Sequence, residues 1–319
     1  MITTPMGPGH EFDRIRAIAA AIDDVIGPIG DDAAPVPMGD GTLVVSTDAS
    51  VENVHFRRPW LTAEEIGWRA TASAVSDLAA AGAIPAGVTV AMVVPAEGTE
   101  HQIVDVMRGA AAVMRTTDGM ILGGDLSSGP CWMLTVTVIG YAKHPMTRGG
   151  AKIANGVWAT GLLGASRAAV ESWRHGIEPA AAARLAFARP HPRIAAGHWL
   201  AAHGATAMID ISDGVGGDAG HLAAASNVGV AITLDALPIH PAVLAVAPLL
   251  NQAPSVFAGL GGEDYELLVT LPHGWNGAAD CEAETGTRIT LIGEIVETPG
   301  LRFTLLGKDV TLPGYTHRI

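Results

Sequence analysis

The feature that most limits the possible folds is the alternation of strand-like and helix-like segments along the 319 residues. In the first half, the pattern predicts strands at residues 42–48, 86–94 and 133–141 and helices at residues 62–78 and 100–114. Thr62 and Glu65 have the capping-box spacing that starts the first of these helices. Such alternation favours a mixed α/β architecture over a helical bundle or a β-sandwich.

The same pattern restarts after residues 143–148, which predicts two domains, residues 1–145 and 146–319. Beyond the boundary it predicts strands at residues 157–160, 206–211, 230–234, 265–271 and 289–296 and helices at residues 165–173, 194–203 and 215–226. A chain of this length with 49% hydrophobic residues can bury two cores of moderate size.

Composition excludes several classes of protein. The formal charge of −13 opposes binding to a nucleic-acid backbone, which needs a positive surface. Cys131 and Cys281 have no C-x-x-C spacing, so neither a zinc site nor a disulfide framework is indicated. We expect a cytoplasmic protein, because residues 1–23 do not have the pattern of a signal peptide and the apolar run at residues 78–96 is broken by glycine and proline.

Five short motifs place an aspartate at or near the end of an apolar element. They are Gly30-Asp31-Asp32, Thr47-Asp48, Ser76-Asp77, Gly124-Asp125 and the DISDG segment at residues 210–214. Magnesium commonly takes one or two carboxylates together with nucleotide phosphates and waters. Each motif taken singly is also ordinary turn or helix-cap material. As a set they predict a metal and phosphate site, because clustered acids repel one another unless cations neutralise them.

The best-known phosphate-binding motifs are absent from the sequence. It contains no G-x-x-x-x-G-K-[ST] loop and neither of the H-R-D and D-F-G motifs of protein kinases. It also lacks G-x-S-x-G and H-E-x-x-H, which removes the commonest hydrolase and zinc-protease interpretations. Any ATP must therefore be held in another way.

Together the motifs resemble those of the thiamine-monophosphate kinases, in the superfamily that includes aminoimidazole ribonucleotide synthetase, selenophosphate synthetase and a hydrogenase maturation factor. The resemblance runs nearly end to end. It is carried by IGDDAA (29–34), STDASVENVHF (46–56), SDLAAAGAIP (76–85), GGDLSSGP (123–130), RGGAK (148–152), IDISDGVGGDAGHL (209–222) and GGEDYELL (261–268).

The resemblance implies a two-domain PurM-like fold. Its N-terminal mixed sheet with helices would bind ATP and Mg²⁺ and form a homodimer, and its C-terminal part would be an α/β domain. The implied reaction is in-line transfer of the ATP γ-phosphate to thiamine monophosphate. A phosphate oxygen of the acceptor would be the nucleophile, and no strong general base is required because a phosphomonoester has a second pKa of about 6. The resemblance implies neither a nucleic-acid nor a membrane partner.

The resemblance also implies a role for particular residues. Magnesium would be bound by Asp31, Ser46, Thr47, Asp48, Asp77, Asp125, Asp210 and Asp213, of which Asp48, Asp77 and Asp125 would form the catalytic core. ATP would be bound by Gly124, Asp125, Arg148 and Ser212. Thiamine monophosphate would be bound by His55, Glu263 and Tyr315. Each of the last three also has a purely structural interpretation, as a core histidine, a loop acid and a packed C-terminal ring.

The sequence departs from the family pattern at four places. Ala49-Ser50 stands where Thr-Leu is usual, Asn53 replaces a glycine and Leu126 replaces a threonine. Residues 153–155 (IAN) replace the usual Pro-Gly-Asp. Most of these positions lie beside the implied ligands without removing them.

Two alternatives to this activity remain open on sequence grounds. One is another ATP-using enzyme of the superfamily. Residues 1–30 lack the cysteine of a selenophosphate synthetase and residues 315–319 lack the cysteine tail of the hydrogenase factor, which leaves aminoimidazole ribonucleotide synthetase. The other alternative is a non-catalytic metal-binding module, although no EF-hand loop supports it.

Overall fold

A computed structural model describes residues 17–25 and 41–312 and divides the chain into two compact units. The first comprises Met1–Leu78 and Ala83–His144, and the second Ala79–Gly82 and Pro145–Ile319. Asp31 and Tyr315, two of the predicted site residues, lie outside the described residues.

The first unit is built on a four-stranded sheet with strand order β1-β4-β2-β3. Its elements are β1 (Thr42–Val51), α1 (Ala63–Ala80), β2 (Ile84–Val94), α2 (Glu100–Arg115), β3 (Met120–Ser128) and β4 (Met133–Ala142). Strand β4 is antiparallel to β1 and β2, whereas β2 and β3 are parallel. Strands β1 and β3 are therefore the two edges of the sheet.

Local sequence explains why α1 and α2 form and pack closely. The predicted capping box is present, since Thr62 Oγ1 accepts the Glu65 N–H at 3.2 Å and Glu65 Oε2 accepts the Thr62 N–H at 2.9 Å. A Cβ atom on Gly67 would overlap the carbonyl oxygen of Val106, and one on Gly109 would overlap that of Glu64. These two glycines allow the helix backbones to touch at their crossing.

The second unit is built on a seven-stranded sheet with strand order β11-β10-β7-β9-β5-β8-β6. Its strands are β5 (Gly156–Thr160), β6 (Ala207–Asp210), β7 (Gly229–Thr233), β8 (Leu267–Leu271), β9 (Ile289–Val296), β10 (Gly300–Leu305) and β11 (Lys308–Val310). Its helices are α3 (Ala165–Arg174), α4 (Ala181–Ala188), α5 (Ile194–Ala202), α6 (Val215–Ser226), α7 (Val243–Val246), α8 (Pro254–Gly259) and α9 (Ala278–Thr285). Two short 3₁₀ turns cover Leu234–Ala236 and Ala247–Leu250.

Four strands of this second sheet begin or finish at the same end of the sheet. Thr160 pairs with Ile289, and Asp210 pairs with Leu267. Strand β8 is antiparallel to both β5 and β6, so the last residues of β5 and β6 lie beside the first residues of β8 and β9. The DISDG motif follows β6 and the GGEDYE motif precedes β8, so both loops lie at this end of the sheet.

The mixed α/β class predicted from the sequence is confirmed. Strand β3 was not predicted, because Gly123, Gly124 and Asp125 have low strand propensity. The helices α4 and α7 to α9 and the strands β10 and β11 were also missed. The four helices have eight residues or fewer, too few to show a clear helical period. Within residues 17–25 and 41–312, no helix is both long enough and apolar enough to cross a membrane.

Candidate functional site

Ser46, Asp48 and Asp77 lie on the same side of the first sheet. The Ser46 hydroxyl donates a hydrogen bond to Oδ2 of Asp77 on α1. Asp48 follows Ser46 by two residues, so its side chain lies on the same face of β1. Its Oδ1 accepts the N–H of Ala49 at 2.9 Å. The prediction that the strand ends at Asp48 was wrong, because pairing with β4 continues to Val51.

Thr47 and Asp125 lie on the opposite face. The Thr47 hydroxyl is 2.9 Å from that of Thr137. Asp125 pairs with Ala91 in the register of β2 and β3, and Ala91 and Ala49 both pair with Thr135 of β4. Directly paired residues project to one side of a sheet, so Asp125 shares the face of Thr47 and Ala49. Oδ2 of Asp125 accepts the Ser127 hydroxyl at 3.2 Å.

The first unit therefore separates two of its predicted metal ligands. Asp48 and Asp125 lie on opposite faces of the sheet and on its two edge strands. Three strand spacings of about 4.8 Å place them roughly 14 Å apart along the sheet. Side chains at that separation cannot bind one ion within this unit, whereas Ser46, Asp48 and Asp77 share a face.

His55 is held in one orientation in the loop after β1. Its Nδ1 accepts the Val51 N–H at 3.0 Å, so in the neutral ring the proton is on Nε2. Asn53 has a φ of 66° in this loop, in the left-handed region that glycine adopts without strain and asparagine tolerates. The departure from the family glycine at this position therefore preserves the turn.

The second unit brings together Asp210, Asp213 and a residue that sequence analysis missed. Asp210 ends β6 and is 5% exposed, while Asp218, in the first turn of α6, is 1% exposed. Oδ2 of Asp218 accepts the Asp213 N–H at 3.2 Å. Burial, and then the neighbouring Asp210 and Asp213 carboxylates, raise the pKa of Asp218 to about 8. Asp218 lies within the family segment at residues 209–222, but its own signal, an acid in a helical first turn, is common.

The GGEDYE segment runs beside the DISDG turn. The Glu263 N–H donates to the Ser212 carbonyl at 2.8 Å, and the Tyr265 N–H donates to that of Ile211 at 3.0 Å. Glu263 has a φ of 64° and Tyr265 a φ of 51°, a conformation that costs such residues about 1 kcal/mol or more. The predicted substrate carboxylate thus lies next to the predicted metal and nucleotide turn.

Two acids of the GGEDYE segment, Asp264 and Glu266, bond to parts of the second unit other than the DISDG turn. Glu266 is 4% exposed and accepts both Nε and Nη2 of Arg193, and its Oε2 also accepts the Thr160 hydroxyl at 2.7 Å. Asp264 accepts the Gly164 N–H at 2.7 Å, at the start of α3. We infer that these bonds hold the Glu263 backbone in its strained conformation.

The structure does not bring together Arg148 and Ser212, two of the predicted ATP ligands. Its carbonyl accepts the hydroxyl of Ser226, the last residue of α6, at 3.0 Å, whereas Ser212 precedes the first residue of that helix. The helix has 12 residues and, at about 1.5 Å per residue, is roughly 18 Å long. The two residues therefore lie toward opposite ends of α6.

The donor atoms suit a hard cation bound together with phosphate. Among the residues described, no three His, Cys, Asp or Glu side chains are arranged to hold one ion. Magnesium does not need such a set, since it commonly uses one or two carboxylates and completes its shell with phosphate oxygens and water. A cation would also relieve the concentration of negative charge around Asp218.

Comparison with known proteins identifies the family of this chain. The family described as AIR synthase related protein, N-terminal domain, matches residues 30–142, and its C-terminal counterpart matches residues 155–305. The thiamine-monophosphate kinase of Mycobacterium tuberculosis is 38% identical over 258 residues, which are 79% of this chain and 77% of the relative.

Two of the solved structures that resemble this chain cover more than nine tenths of it. Thiamine-monophosphate kinase from Stenotrophomonas maltophilia has a TM-score of 0.80 at 34% identity and covers 93% of this chain and 96% of its own. AaThiL complexed with AMPPCP and TMP has a TM-score of 0.79 at 30% identity and covers 97% of both chains. On the combined evidence of its two matched domains, its close relatives and its fold, this chain belongs to the thiamine-monophosphate kinase family.

Proposed function

We propose that the chain transfers the γ-phosphate of ATP to the phosphate of thiamine monophosphate and forms thiamine diphosphate. The observation that carries this proposal is the pairing of Glu263 N–H with the Ser212 carbonyl. The pairing supports the proposal because Glu263, whose charge suits a cationic thiamine ring, is then next to the turn that carries Asp210 and Asp213, whose charge suits metal-bound phosphates. A relative with this fold, AaThiL, has been solved with AMPPCP and TMP.

The main tasks of the protein are to align the acceptor oxygen with the γ-phosphorus and to neutralise the negative charge of the phosphates. The acceptor phosphate is largely ionised at neutral pH, so it needs no general base. Bound magnesium would supply positive charge that lets two polyanions approach. Ser46, Asp48 and Asp77 would hold one such charge on one face of the sheet, Asp125 a separate one on the other, and Asp210 and Asp213 a further one in the second unit.

The remaining contacts are those that the family resemblance implies. The Nε2–H of His55 would donate to the substrate phosphate, and Glu263 would pair with the thiazolium charge. Tyr315, outside the described residues, would stack on the heterocycle. Gly124 and Asp125 would contact ATP in the first unit. Arg148 and Ser212 would do so in the second unit, at different parts of the nucleotide because of their separation.

We assign residues 1–145 to an N-terminal domain that binds ATP and Mg²⁺ and forms the homodimer, and residues 146–319 to a C-terminal PurM-like α/β domain that contributes further ligands. We also propose a cytoplasmic location. The chemistry requires only small-molecule partners, thiamine monophosphate and ATP, with Mg²⁺ as the cofactor.

A coupled assay with the purified chain, ATP and Mg²⁺ tests this function. We expect one thiamine diphosphate for each ADP released, and no ADP release when EDTA replaces Mg²⁺. ADP release without thiamine diphosphate would instead favour another enzyme of the superfamily. Thermal unfolding distinguishes the kinase from a non-catalytic metal-binding module. Such a module gains stability from Mg²⁺ but nothing further from ATP.

A further inference from the structure

The second unit contains a basic cavity that the proposed reaction does not use. It has a volume of about 430 Å³ and is formed by the connection from β5 to α3, by the segment between α4 and α5, and by the residues before β9. The side chains of Arg189, Arg193 and Arg288 line it, together with Asp264 and Glu266. None of the described residues that we assign to Mg²⁺, ATP or thiamine monophosphate lines it.

The two carboxylates in this cavity already have partners within the protein. Glu266 is paired with Arg193 in a two-pronged contact and accepts the Thr160 hydroxyl, and Asp264 accepts backbone N–H groups at the start of α3. Among the residues that line the cavity, three arginines stand against two carboxylates, an excess of positive charge in a chain whose formal charge is −13. Arg193 is paired with Glu266 and Arg189 has a contact of its own, so Arg288 carries this excess. Such a local reversal of charge marks a place where an anion is stabilised.

Arg288 is the group best placed to meet a ligand. It is exposed, and within residues 17–25 and 41–312 its side chain makes no hydrogen bond or ion pair. Its backbone is fixed, because its carbonyl accepts the Gly161 N–H at 2.9 Å. Gly161 has a φ of 58°, and a Cβ there would overlap the Glu266 carboxylate. The absence of that Cβ leaves the wall of the cavity open beside the arginines.

We propose that this cavity binds the phosphate or diphosphate group of a small molecule, without a metal ion and apart from the DISDG turn. A planar guanidinium matches two oxygens of a phosphate at once, and three such groups around one cavity suit that anion better than they suit a cation or an apolar ligand. The volume falls in the range of small-ligand sites. Asp264 and Glu266 flank Glu263 in the chain, so an occupant contacts the same loop from the side opposite the Ser212 pairing.

Isothermal titration of the full chain with inorganic pyrophosphate in EDTA tests this site. We expect saturable binding to the natural sequence and an affinity at least about tenfold weaker for Arg288→Gln, because one charge-assisted hydrogen bond contributes about 1.5–3 kcal/mol. Arg302→Gln is the matched control. Arg302 is an exposed arginine of the same unit that pairs with Asp309 at 3.2 Å and lies outside the cavity. Its replacement should leave the affinity unchanged.

Three results would overturn the proposal. They are the absence of saturable binding, an unchanged affinity of Arg288→Gln, and loss of binding in Arg148→Gln in place of Arg288→Gln, which would locate pyrophosphate in the nucleotide site. Because the titration contains neither Mg²⁺ nor substrate, it does not depend on kinase activity. A chain that binds pyrophosphate through Arg288 but makes no thiamine diphosphate would uphold this site and refute the proposed function.

Discussion

The hydroxyl of Ser46 donates a hydrogen bond to the carboxylate of Asp77, which joins the middle of β1 to the last turn of α1. These residues are 31 positions apart in the chain. The bond orients Asp77 toward the face of the sheet that also carries Asp48. A metal ion bound there would be held by a strand and a helix whose relative position is set by the core of the first unit.

Asp77→Asn is expected to lower kcat by about two orders of magnitude or more, because an amide lacks the charge that holds a metal ion against phosphate. The fold should remain intact, since the amide oxygen still accepts the Ser46 hydroxyl. Steady-state kinetics and thermal unfolding measure the two effects. Asp105→Asn, on α2, is the control and should retain activity. Near-normal turnover in Asp77→Asn would remove this residue from the metal site.

The variant Glu263→Gly separates the effect of backbone strain at this position from the proposed contact of the carboxylate with thiamine monophosphate. Glycine adopts a φ of 64° without penalty, so the variant should be as stable as the natural sequence or more stable by up to about 1 kcal/mol. Its KM for thiamine monophosphate should rise at least about tenfold while the KM for ATP stays constant.

Ala154→Gly is the matched control for this experiment, because Ala154 has a φ of 69°. It should gain a similar stability with no change in either KM. A variant Glu263→Gly with an unchanged KM for thiamine monophosphate would show that the carboxylate does not contact the substrate.

Gly161→Ala is expected to destabilise the second unit by about 3 kcal/mol or more. The added Cβ would displace the Glu266 carboxylate from Arg193 and leave buried charges poorly paired. Gly176→Ala isolates the backbone cost, since Gly176 has a φ of 69° and nothing lies within 4 Å of its added Cβ. That variant should lose only about 1–2 kcal/mol in denaturant unfolding. Equal losses in the two variants would mean that the Glu266 contact contributes little.

His240 is expected to make the free energy of unfolding depend on pH. Burial lowers its pKa from the ordinary value of 6.5, and its neutral Nδ1 accepts the Ala242 N–H at 3.2 Å. The unfolded chain therefore binds a proton at a higher pH than the folded chain, so the free energy of unfolding decreases as pH falls through 6.5. His240→Gln should reduce this decrease, measured by denaturant unfolding between about pH 7.5 and 5.

The sequence by itself determined most of the longer local elements, and it predicted the chemical character of the site. β-Branched runs predicted β1 and β4, the Thr62 and Glu65 pair predicted the start of α1, and the aspartate motifs predicted oxygen ligands for a metal and phosphate site. These features depend on interactions within a few residues of chain, which is why a pattern reveals them. The alternation of strands and helices predicted a mixed α/β chain with two domains, and the family motifs added the PurM-like fold and the reaction.

Tertiary structure decided which of those groups meet. The register of β1, β4, β2 and β3 sets Asp48 and Asp125 on opposite faces, and a shift of one residue would exchange the face of either. The pairing of Glu263 with Ser212, the burial of Asp218 against Asp213 and the basic cavity around Arg288 all join segments far apart in the chain or depend on packing around them. Contacts of this kind arise from long-range hydrogen bonds and core packing, which no local residue pattern encodes.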